Sequence, residues 1–340
     1  MILSIVAIVV GLFLLVWSAD RFVDGAVGVA RFFGMSTFLI GMVIVGFGTS
    51  APEMVVSILS AMNDTPQLAL GNAYGSNIAN IALILGVTAL IAPVVVQKQA
   101  MSRDIPVLIA MTALTVLLLV DGNVSLIDGA VLLVAFVAIM GFNILSELKA
   151  KRKRRKSGGA SDISEVEEIP AEGVSIGKAV LSLLVGLVLL IVSSRMLVWG
   201  AVYMAHALGV SDLLIGLTIV AVGTSLPELA SSIAAARRGE NDLAVGNIIG
   251  SNIFNTLVVV GIAAVITPIK AMDAEVLSRD LPIMSALTLL LFLICFPFFK
   301  SKRAKASRKK NEQFGFGRIG GALFLRLYVA YLVLLGVTTI

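Results

Sequence analysis

The chain has 340 residues, of which 58% are hydrophobic and 14% charged, with a formal net charge of +5 and a mean hydropathy of +1.02. A soluble globular protein is about 45–50% apolar and about 25% charged. This composition therefore excludes a soluble domain and indicates an integral membrane protein.

Ten apolar runs, each near the roughly 20 residues needed to cross a bilayer, follow one another along the chain. The predicted spans are residues 2–22, 36–61, 69–92, 104–120, 126–147, 176–200, 211–236, 244–267, 281–299 and 317–338. The first run lacks a basic flank and has a partner at 176–200, so we expect it to remain in the protein rather than act as a cleaved signal peptide. The sequence thus predicts an all-α membrane protein with ten transmembrane helices.

The ten spans divide into two sets of five around a polar segment. We assign residues 1–148 to a first five-helix repeat, 149–175 to a solvated linker, and 176–340 to a second five-helix repeat. Because each set contains an odd number of spans, the second set is predicted to be inverted relative to the first. Inverted repeats are a recurrent architecture of secondary transporters, whose sites lie near the bilayer midplane where the halves meet.

Charged connections predict how the chain is oriented. Basic runs at 149–156 and 300–310 lie on one side of the bilayer, whereas the connections 62–68 and 121–128 contain aspartates and no Lys or Arg. The positive-inside rule then places the linker in the cytoplasm and both termini outside. We predict a multi-pass protein of the plasma or inner membrane.

A duplicated polar motif interrupts the apolar runs. Its first copy, within 46–80, contains Gly-Thr-Ser-Ala-Pro-Glu and Gly-Asn-Ala-Tyr-Gly-Ser-Asn-Ile-Ala-Asn; its second, within 221–255, contains Gly-Thr-Ser-Leu-Pro-Glu and Gly-Asn-Ile-Ile-Gly-Ser-Asn-Ile-Phe-Asn. Each copy places a glutamate, Glu53 or Glu228, inside an apolar span. An ionised side chain there costs about 2.5 kcal/mol or more unless a cation meets it. Two such glutamates in equivalent halves predict one shared cation site.

The residues around each glutamate favour a hard cation. The proline before each glutamate removes a backbone donor, so it is predicted to break its helix and free carbonyl oxygens near 46–50 and 221–225. A threonine four residues before each glutamate shares its helical face. Carboxylate, hydroxyl and carbonyl oxygens suit Ca²⁺ and Na⁺. A structural buried acid, either protonated or paired with Arg21 or Arg195 from the first span of each half, is the alternative.

The second part of each motif contributes further polar side chains. Ser76 and Asn80 are four residues apart, as are Ser251 and Asn255, so each pair is predicted to face the ion cavity. The Gly-x-x-x-Gly spacings in the same segments indicate close helix packing.

The paired motifs resemble the two alpha-repeats of the cation/calcium exchanger superfamily, in its sodium/calcium exchanger branch, and the resemblance covers essentially all ten spans. It implies a sodium/calcium exchanger fold in which spans two, three, seven and eight surround a diamond of sites at mid-membrane, while helices one and six slide past them. It also implies a secondary active antiporter, not an enzyme, that exchanges Na⁺ for Ca²⁺ by alternating access. The Na⁺ gradient would drive Ca²⁺ extrusion, and no cofactor is needed.

Carried over position by position, the resemblance makes Glu53 and Glu228 the central ligands of Ca²⁺ and Na⁺. The other implied ligands are Thr49, Thr224, Ser50, Ser225, Ser76, Ser251, Asn80 and Asn255, with backbone carbonyls of Gly46 and Ala221. Several exchangers have an aspartate where this chain has Asn255. The number of Na⁺ ions and any K⁺ dependence therefore stay open.

Two relatives in the same superfamily are alternatives: an H⁺/Ca²⁺ exchanger, whose glutamates titrate, and a K⁺-dependent Na⁺/Ca²⁺ exchanger. A channel fits inverted halves and broken helices less well, and a serine-type intramembrane enzyme would need a histidine deeper than His206, which lies where an apolar run ends. The predicted partners are Ca²⁺, Na⁺ and the lipid bilayer, with K⁺ or H⁺ as further candidate ions and no nucleic acid. The sequence is compatible with a monomer.

Overall fold

The computed structural model describes residues 1–96, 103–156, 175–209, 221–295 and 314–339. In these ranges the helices are α1 (Ile2–Phe33), α2 (Thr37–Thr49), α3 (Ala51–Met62), α4 (Pro66–Ile91), α5 (Ile105–Leu119), α6 (Leu126–Lys156), α7 (Ile176–Ala207), α8 (Ala221–Thr224), α9 (Leu226–Arg237), α10 (Asn241–Ile266), α11 (Val276–Cys295) and α12 (Arg318–Thr339). The strands are β1 (Val94–Val96) and β2 (Phe314–Phe316).

Among these described residues, seven helices are long and apolar enough to cross a membrane, or eight if the bent pair α2 and α3 is counted as one span. The predicted helical membrane architecture is confirmed at this level. The start of the predicted span at 211–236, most of the linker 149–175 and the basic run 300–310 lie outside the described residues.

Helix α1 is longer than its hydropathy predicts. The apolar run falls off at Asp20 and Arg21, but the helix continues to Phe33 and ends at Gly34, whose φ of 57° is left-handed. Glycine adopts this backbone conformation without steric cost and is the usual residue just past a helix end. Hydropathy marks where the apolar surface ends, and the helix itself extends further.

Helices α1 and α7, the first of each half, pack against each other in antiparallel fashion. A Cβ atom added to Gly25 would lie 2.3 Å from the backbone nitrogen of Leu183, and one added to Gly200 would lie 2.8 Å from the carbonyl oxygen of Ser4. The C-terminal part of α1 therefore meets the beginning of α7. Small residues permit this close approach of two backbones.

The later helices cross between the halves. Helix α4 meets α12 at Gly86 and Gly321, where an added Cβ on Gly321 would lie 2.7 Å from the carbonyl oxygen of Gly86. Helix α10 meets α6 in the same way, since an added Cβ on Gly129 would lie 2.8 Å from the carbonyl oxygen of Gly261. Helices of each half therefore pack against helices of the other, and the two halves do not form separate domains.

Helices α4 and α10 form the centre of the molecule. They begin 175 residues apart, at 66 and 241, and each contains a π-helical stretch, at Ala79–Ile84 and Phe254–Val259 respectively. Their most apolar windows are 72% and 89% buried, the highest shares of any candidate span in the described chain. The second parts of the two motif copies, at 71–80 and 246–255, therefore lie in the interior.

The structure adds a short β-sheet to the predicted all-α architecture. Strands β1 and β2 pair antiparallel, with Val94 opposite Phe316 and Val96 opposite Phe314. Pro93 follows the end of α4, where Ala92 is already extended, and proline disfavours the helical conformation of the residue before it. The strands lie more than 200 residues apart in sequence, so local patterning could not predict their pairing.

Candidate functional site

Both copies of the motif break a helix just before the glutamate. Helices α2 and α3 meet at Ser50 with a bend of 46°, and α8 and α9 are separated at Ser225. The prolines in the first turns of α3 and α9 have no N–H to continue the preceding helix. The predicted breaks are confirmed. The carbonyl oxygen of Gly46 accepts a 3.1 Å hydrogen bond from the Ser50 N–H, which leaves it one further lone pair.

The two glutamates lie at helix N-termini inside the protein. Glu53 is 0% and Glu228 is 1% exposed, and each occupies the first turn of its helix. The positive end of a helix dipole favours a carboxylate at this position. The Ser50 hydroxyl donates to Oε1 of Glu228 at 3.2 Å, which joins the two copies directly.

The carboxylate oxygens are mostly without protein partners. Neither Oε1 nor Oε2 of Glu53 has a hydrogen-bond partner among the described residues, and Oε2 of Glu228 has none either. Buried polar atoms are nearly always hydrogen-bonded. Several unpartnered carboxylate oxygens in one interior region are therefore characteristic of a cation-binding site.

Thr49, in the first copy of the motif, contacts the Gly-Asn-x-x-Gly-Ser segment of the second copy. Its hydroxyl donates to Oδ1 of Asn247 at 3.1 Å and lies 3.4 Å from the hydroxyl of Ser251. A Cβ atom added to Gly46 would lie 3.1 Å from Cα of Gly250, so the broken helix α2 runs directly against α10. The fold thus brings Thr49 of the first motif copy beside Ser251 of the second.

Two asparagines that the ligand prediction omitted hold the glutamate backbones. The Asn72 amide donates to the carbonyl oxygen of Glu53 at 3.5 Å, and the Asn247 amide donates to that of Glu228 at 3.4 Å. Asn247 also donates to the hydroxyls of Ser231 and Ser232. The sequence signal for these two residues is that both motif copies have asparagine at this position, although helix packing alone does not require an asparagine there.

The remaining predicted amides are buried and unpartnered. Asn80 is 1% and Asn255 is 0% exposed, and neither atom of either amide has a hydrogen-bond partner in the part of the chain that is described. Each asparagine lies in a π-helical stretch. Such stretches occur frequently at functional sites. The Ser225 hydroxyl is buried and unpartnered in the same way.

The other predicted site residues differ in burial. Ser76 is 5% and Ser251 is 0% exposed, whereas Thr224 is half-buried at the end of α8. Ala221 begins α8, so its carbonyl lies on the turn before the break. The described chain contains no group of three or more His, Cys, Asp or Glu side chains able to hold a metal. The polar groups that the two motif copies offer are two carboxylates with hydroxyl, amide and carbonyl oxygens.

The described structure shows no ion pair between an arginine and either glutamate, which was one alternative predicted from the sequence. Arg21 is exposed and lies over the Trp17 ring, 5.4 Å from its centroid. Arg195 is exposed on α7, and no ion pair joins it to Glu53 or Glu228 in the described structure.

Comparison with known proteins assigns the family. The model of the family described as sodium/calcium exchanger protein matches residues 3–145 and 178–337. The chain belongs to the sodium/calcium exchanger protein family. It is therefore a multi-pass membrane protein of a cation-exchanger family and not an enzyme.

Individual relatives match most of the chain. The putative antiporter CaxA of Alkalimonas amylolytica is 41% identical over 338 residues, covering 98% of this chain and 99% of the relative. The inner membrane protein YrbG of Escherichia coli is 40% identical over 296 residues, covering 87% of this chain and 90% of the relative. A solved structure of the sodium-calcium exchanger NCX_Mj, soaked with Na⁺ and Sr²⁺, has a TM-score of 0.77 and 32% identity, covering 98% of both chains.

Proposed function

We propose that the protein is a secondary active antiporter that exchanges Na⁺ for Ca²⁺ by alternating access, with the Na⁺ gradient driving Ca²⁺ out of the cell. The proposal includes the ten-span organisation, with inverted five-helix repeats at 1–148 and 176–340 and a cytoplasmic linker at 149–175. The antiparallel packing of α1 and α7, which begin the two repeats, supports the inversion.

One observation carries the proposal: the unpartnered, buried oxygens of Glu53, Glu228, Asn80 and Asn255 come from both copies of one motif. Each orphaned polar group costs about 1–3 kcal/mol when no ligand meets it. A bound Ca²⁺, which takes 6–8 oxygen ligands, satisfies several such groups together. The proposed ligands are those two glutamates and asparagines together with Thr49, Thr224, Ser50, Ser225, Ser76 and Ser251, and the carbonyls of Gly46 and Ala221.

Exchange follows from the charge of this ligand set. With Glu53 and Glu228 ionised the empty site carries two negative charges, and burying them uncompensated costs roughly several kcal/mol per ion. One Ca²⁺, or two or more Na⁺, neutralises them. The site is therefore expected to change sides readily when loaded and poorly when empty, which couples movement of one ion to movement of the other.

The test is radiolabelled Ca²⁺ uptake into proteoliposomes loaded with Na⁺ and diluted into Na⁺-free medium. We expect robust uptake by the parent protein and its loss in Glu53→Gln and in Glu228→Gln. The matched control is Glu275→Gln, which changes an exposed glutamate immediately before α11, outside the site, and should leave uptake unchanged.

The same vesicles separate the proposed function from its relatives. Uptake driven by a Na⁺ gradient at equal pH on both sides supports Na⁺ coupling. Uptake driven by a pH gradient without Na⁺ would instead identify a proton exchanger, and uptake requiring K⁺ beside Ca²⁺ would identify a K⁺-dependent exchanger. Wild-type uptake by both single glutamate variants would contradict the site itself.

A further inference from the structure

A cluster of charged side chains joins α1 to the turn between α9 and α10. Arg238, in that turn, pairs with Asp20 through its Nη2 at 3.2 Å and with Asp24 through its Nη1. Arg31 lies 3.9 Å from Oε1 of Glu240, which follows in the same turn. Four of them, all except Asp20, line a cleft of about 280 Å³ between α1 and the turn.

The cluster lies at one end of the antiparallel α1–α7 pair. Because Gly25 packs on Leu183, the C-terminal part of α1 lies beside the first turns of α7, where the chain emerges from the linker. We call this the linker end. Helix α9 runs from Glu228, in its first turn, to Arg237 at this end.

Beside the ion pairs, α1 and α9 are also in apolar contact, and we call this contact the apolar seal. Val23, Val27 and Ala30 of α1 belong to one buried cluster with Ala234 and Ala235 of α9. This contact lies along α9 between the glutamate and the linker end. Passage from the cation site to the linker end along α9 therefore requires α1 to separate from α9.

In the part of the chain that is described, this closure is not repeated at the opposite end. The repeat-related helices, α7 and α3, make at most marginal contact with each other. Under the 175-residue offset, Arg195, Trp199 and Asn63 stand where Asp20, Asp24 and Arg238 stand in the cluster. This set contains no carboxylate, and no ion pair links α7 to α3 in the described residues.

The two turns being compared have the same backbone geometry. The N–H of Glu240 donates to the carbonyl oxygen of Ala235 at 2.9 Å, and the N–H of Thr65 donates to that of Ser60 at 2.8 Å. The preceding residues, Gly239 and Asp64, both have positive φ. The duplicated halves thus keep the turn and the cation ligands but differ in the charges that connect the turn to its neighbouring long helix.

We infer that Asp20, Asp24 and Arg238 form an ion-pair latch that holds the linker end of the cation site closed. This inference rests on the proposed exchange function, because the latch makes the cation site of a duplicated carrier less accessible from one face of the membrane than from the other. It favours the state open at the opposite end. Because all three side chains are partly exposed, each pair contributes modestly and is weakened by salt.

A single-cysteine reporter tests the latch without any transported ion. Cys295 is replaced by alanine, and Val27→Cys places a thiol in the apolar seal. We measure its reaction rate with a maleimide on purified protein in N-methyl-D-glucamine chloride at low ionic strength. Arg238→Gln is expected to speed labelling by about two- to fivefold. The matched control, Arg237→Gln, changes an adjacent exposed arginine that makes no ion pair within the described chain and should leave the rate unchanged.

Two further arms distinguish a latch from a general loosening of the fold. The charge-swapped double variant Asp24→Arg with Arg238→Asp should bring the rate back toward that of the parent, and raising the same salt to 1 M should speed labelling of the parent toward the Arg238→Gln rate. Equal rates for Arg238→Gln and Arg237→Gln, or a swap that labels as fast as Arg238→Gln, would overturn the latch. If Arg238→Gln does not elute as a folded monodisperse protein, Asp20→Asn with Asp24→Asn removes the same pairs and is held to the same expectations.

Oriented proteoliposomes connect the latch to exchange. A larger population open at the linker end should lower the half-saturating Ca²⁺ concentration on that face by the same two- to fivefold and raise it on the other. If Arg238→Gln speeds labelling but the parent protein shows no Ca²⁺ transport, the exchange function is contradicted and the latch is still supported. Robust exchange with unchanged labelling would contradict the latch alone.

Discussion

Asn255 illustrates how a single residue reports a binding site. Its side chain is completely buried, yet neither its Oδ1 nor its Nδ2 has a partner in the described structure. Asn252, one helical turn earlier, is equally buried, and its amide donates to the carbonyl oxygen of Ile248 at 2.7 Å. Two asparagines of the same motif therefore differ: the amide of Asn252 bonds within its own helix, whereas the amide of Asn255 is unsatisfied, and we propose that it faces the cation.

We predict that Asn255→Leu uncouples stability from ion binding. Leucine has nearly the same volume and leaves no orphaned amide, so the ion-free protein should gain about 1 kcal/mol or more of stability. The stabilisation that saturating Ca²⁺ gives the parent, about 2.7 kcal/mol at 100 times its Kd, should decrease at the same time. Thermal unfolding in detergent, with and without Ca²⁺, measures both changes.

The control for this prediction is Asn252→Leu. That substitution removes an amide that is already hydrogen-bonded, so it should lower ion-free stability and leave the Ca²⁺-dependent increase in place. An Asn255→Leu protein that is less stable without Ca²⁺ and still fully stabilised by it would show that Asn255 serves the fold and not the ion.

Helix α10 depends on backbone contact with α2. A Cβ atom added to Gly250 would lie 2.2 Å from the carbonyl oxygen of Met42, and one added to Gly246 would lie 2.3 Å from that of Phe38. Neither carbonyl belongs to a flexible side chain, so the helices would have to move apart. Because Thr49 of α2 is hydrogen-bonded to Asn247 of α10, such a movement would also disturb the cation site.

We predict that Gly250→Ala destabilises the protein by about 1–3 kcal/mol, the usual cost of overpacking a close contact. The control is Gly141→Ala in α6, where an added Cβ meets nothing within 4 Å. Thermal unfolding of both variants, followed by size-exclusion chromatography, measures the difference. Equal stability of the two variants would mean that α2 and α10 separate at little cost.

Features that depend on the local sequence, such as the helix breaks, could be predicted from the sequence. Features that depend on contacts between distant residues could not. Proline before each glutamate was enough to predict the breaks at Ser50 and Ser225, because the missing donor acts locally. The extension of α1 past Asp20 was missed because the charges of Asp20 and Asp24 are compensated by Arg238, over 200 residues away. The pairing of β1 with β2 and the two amides that hold the glutamate backbones depend on tertiary contacts in the same way.

At the scale of the whole molecule, orientation in the membrane is a direct test of the positive-inside argument. We predict that Asn63→Cys is labelled on intact cells by a membrane-impermeant maleimide, whereas Arg152→Cys, at the start of the linker, is labelled only after permeabilisation. Both positions are exposed, and Cys295→Ala supplies a background without other thiols. The reverse pattern would place the linker outside and invert the predicted topology.

The two halves contribute one glutamate each, and this division predicts how the complete carrier behaves when it is empty. Burying both carboxylates without a cation costs roughly several kcal/mol per ion. Each 1.4 kcal/mol slows a step about tenfold. Vesicles loaded with radiolabelled Ca²⁺ should therefore release it at least about 100-fold faster into medium containing Ca²⁺ or Na⁺ than into medium containing only choline. A parallel measurement in liposomes without protein sets the passive leak. Equal release into choline and into Ca²⁺ would identify a uniporter or channel, since such a protein returns or conducts without an ion in exchange.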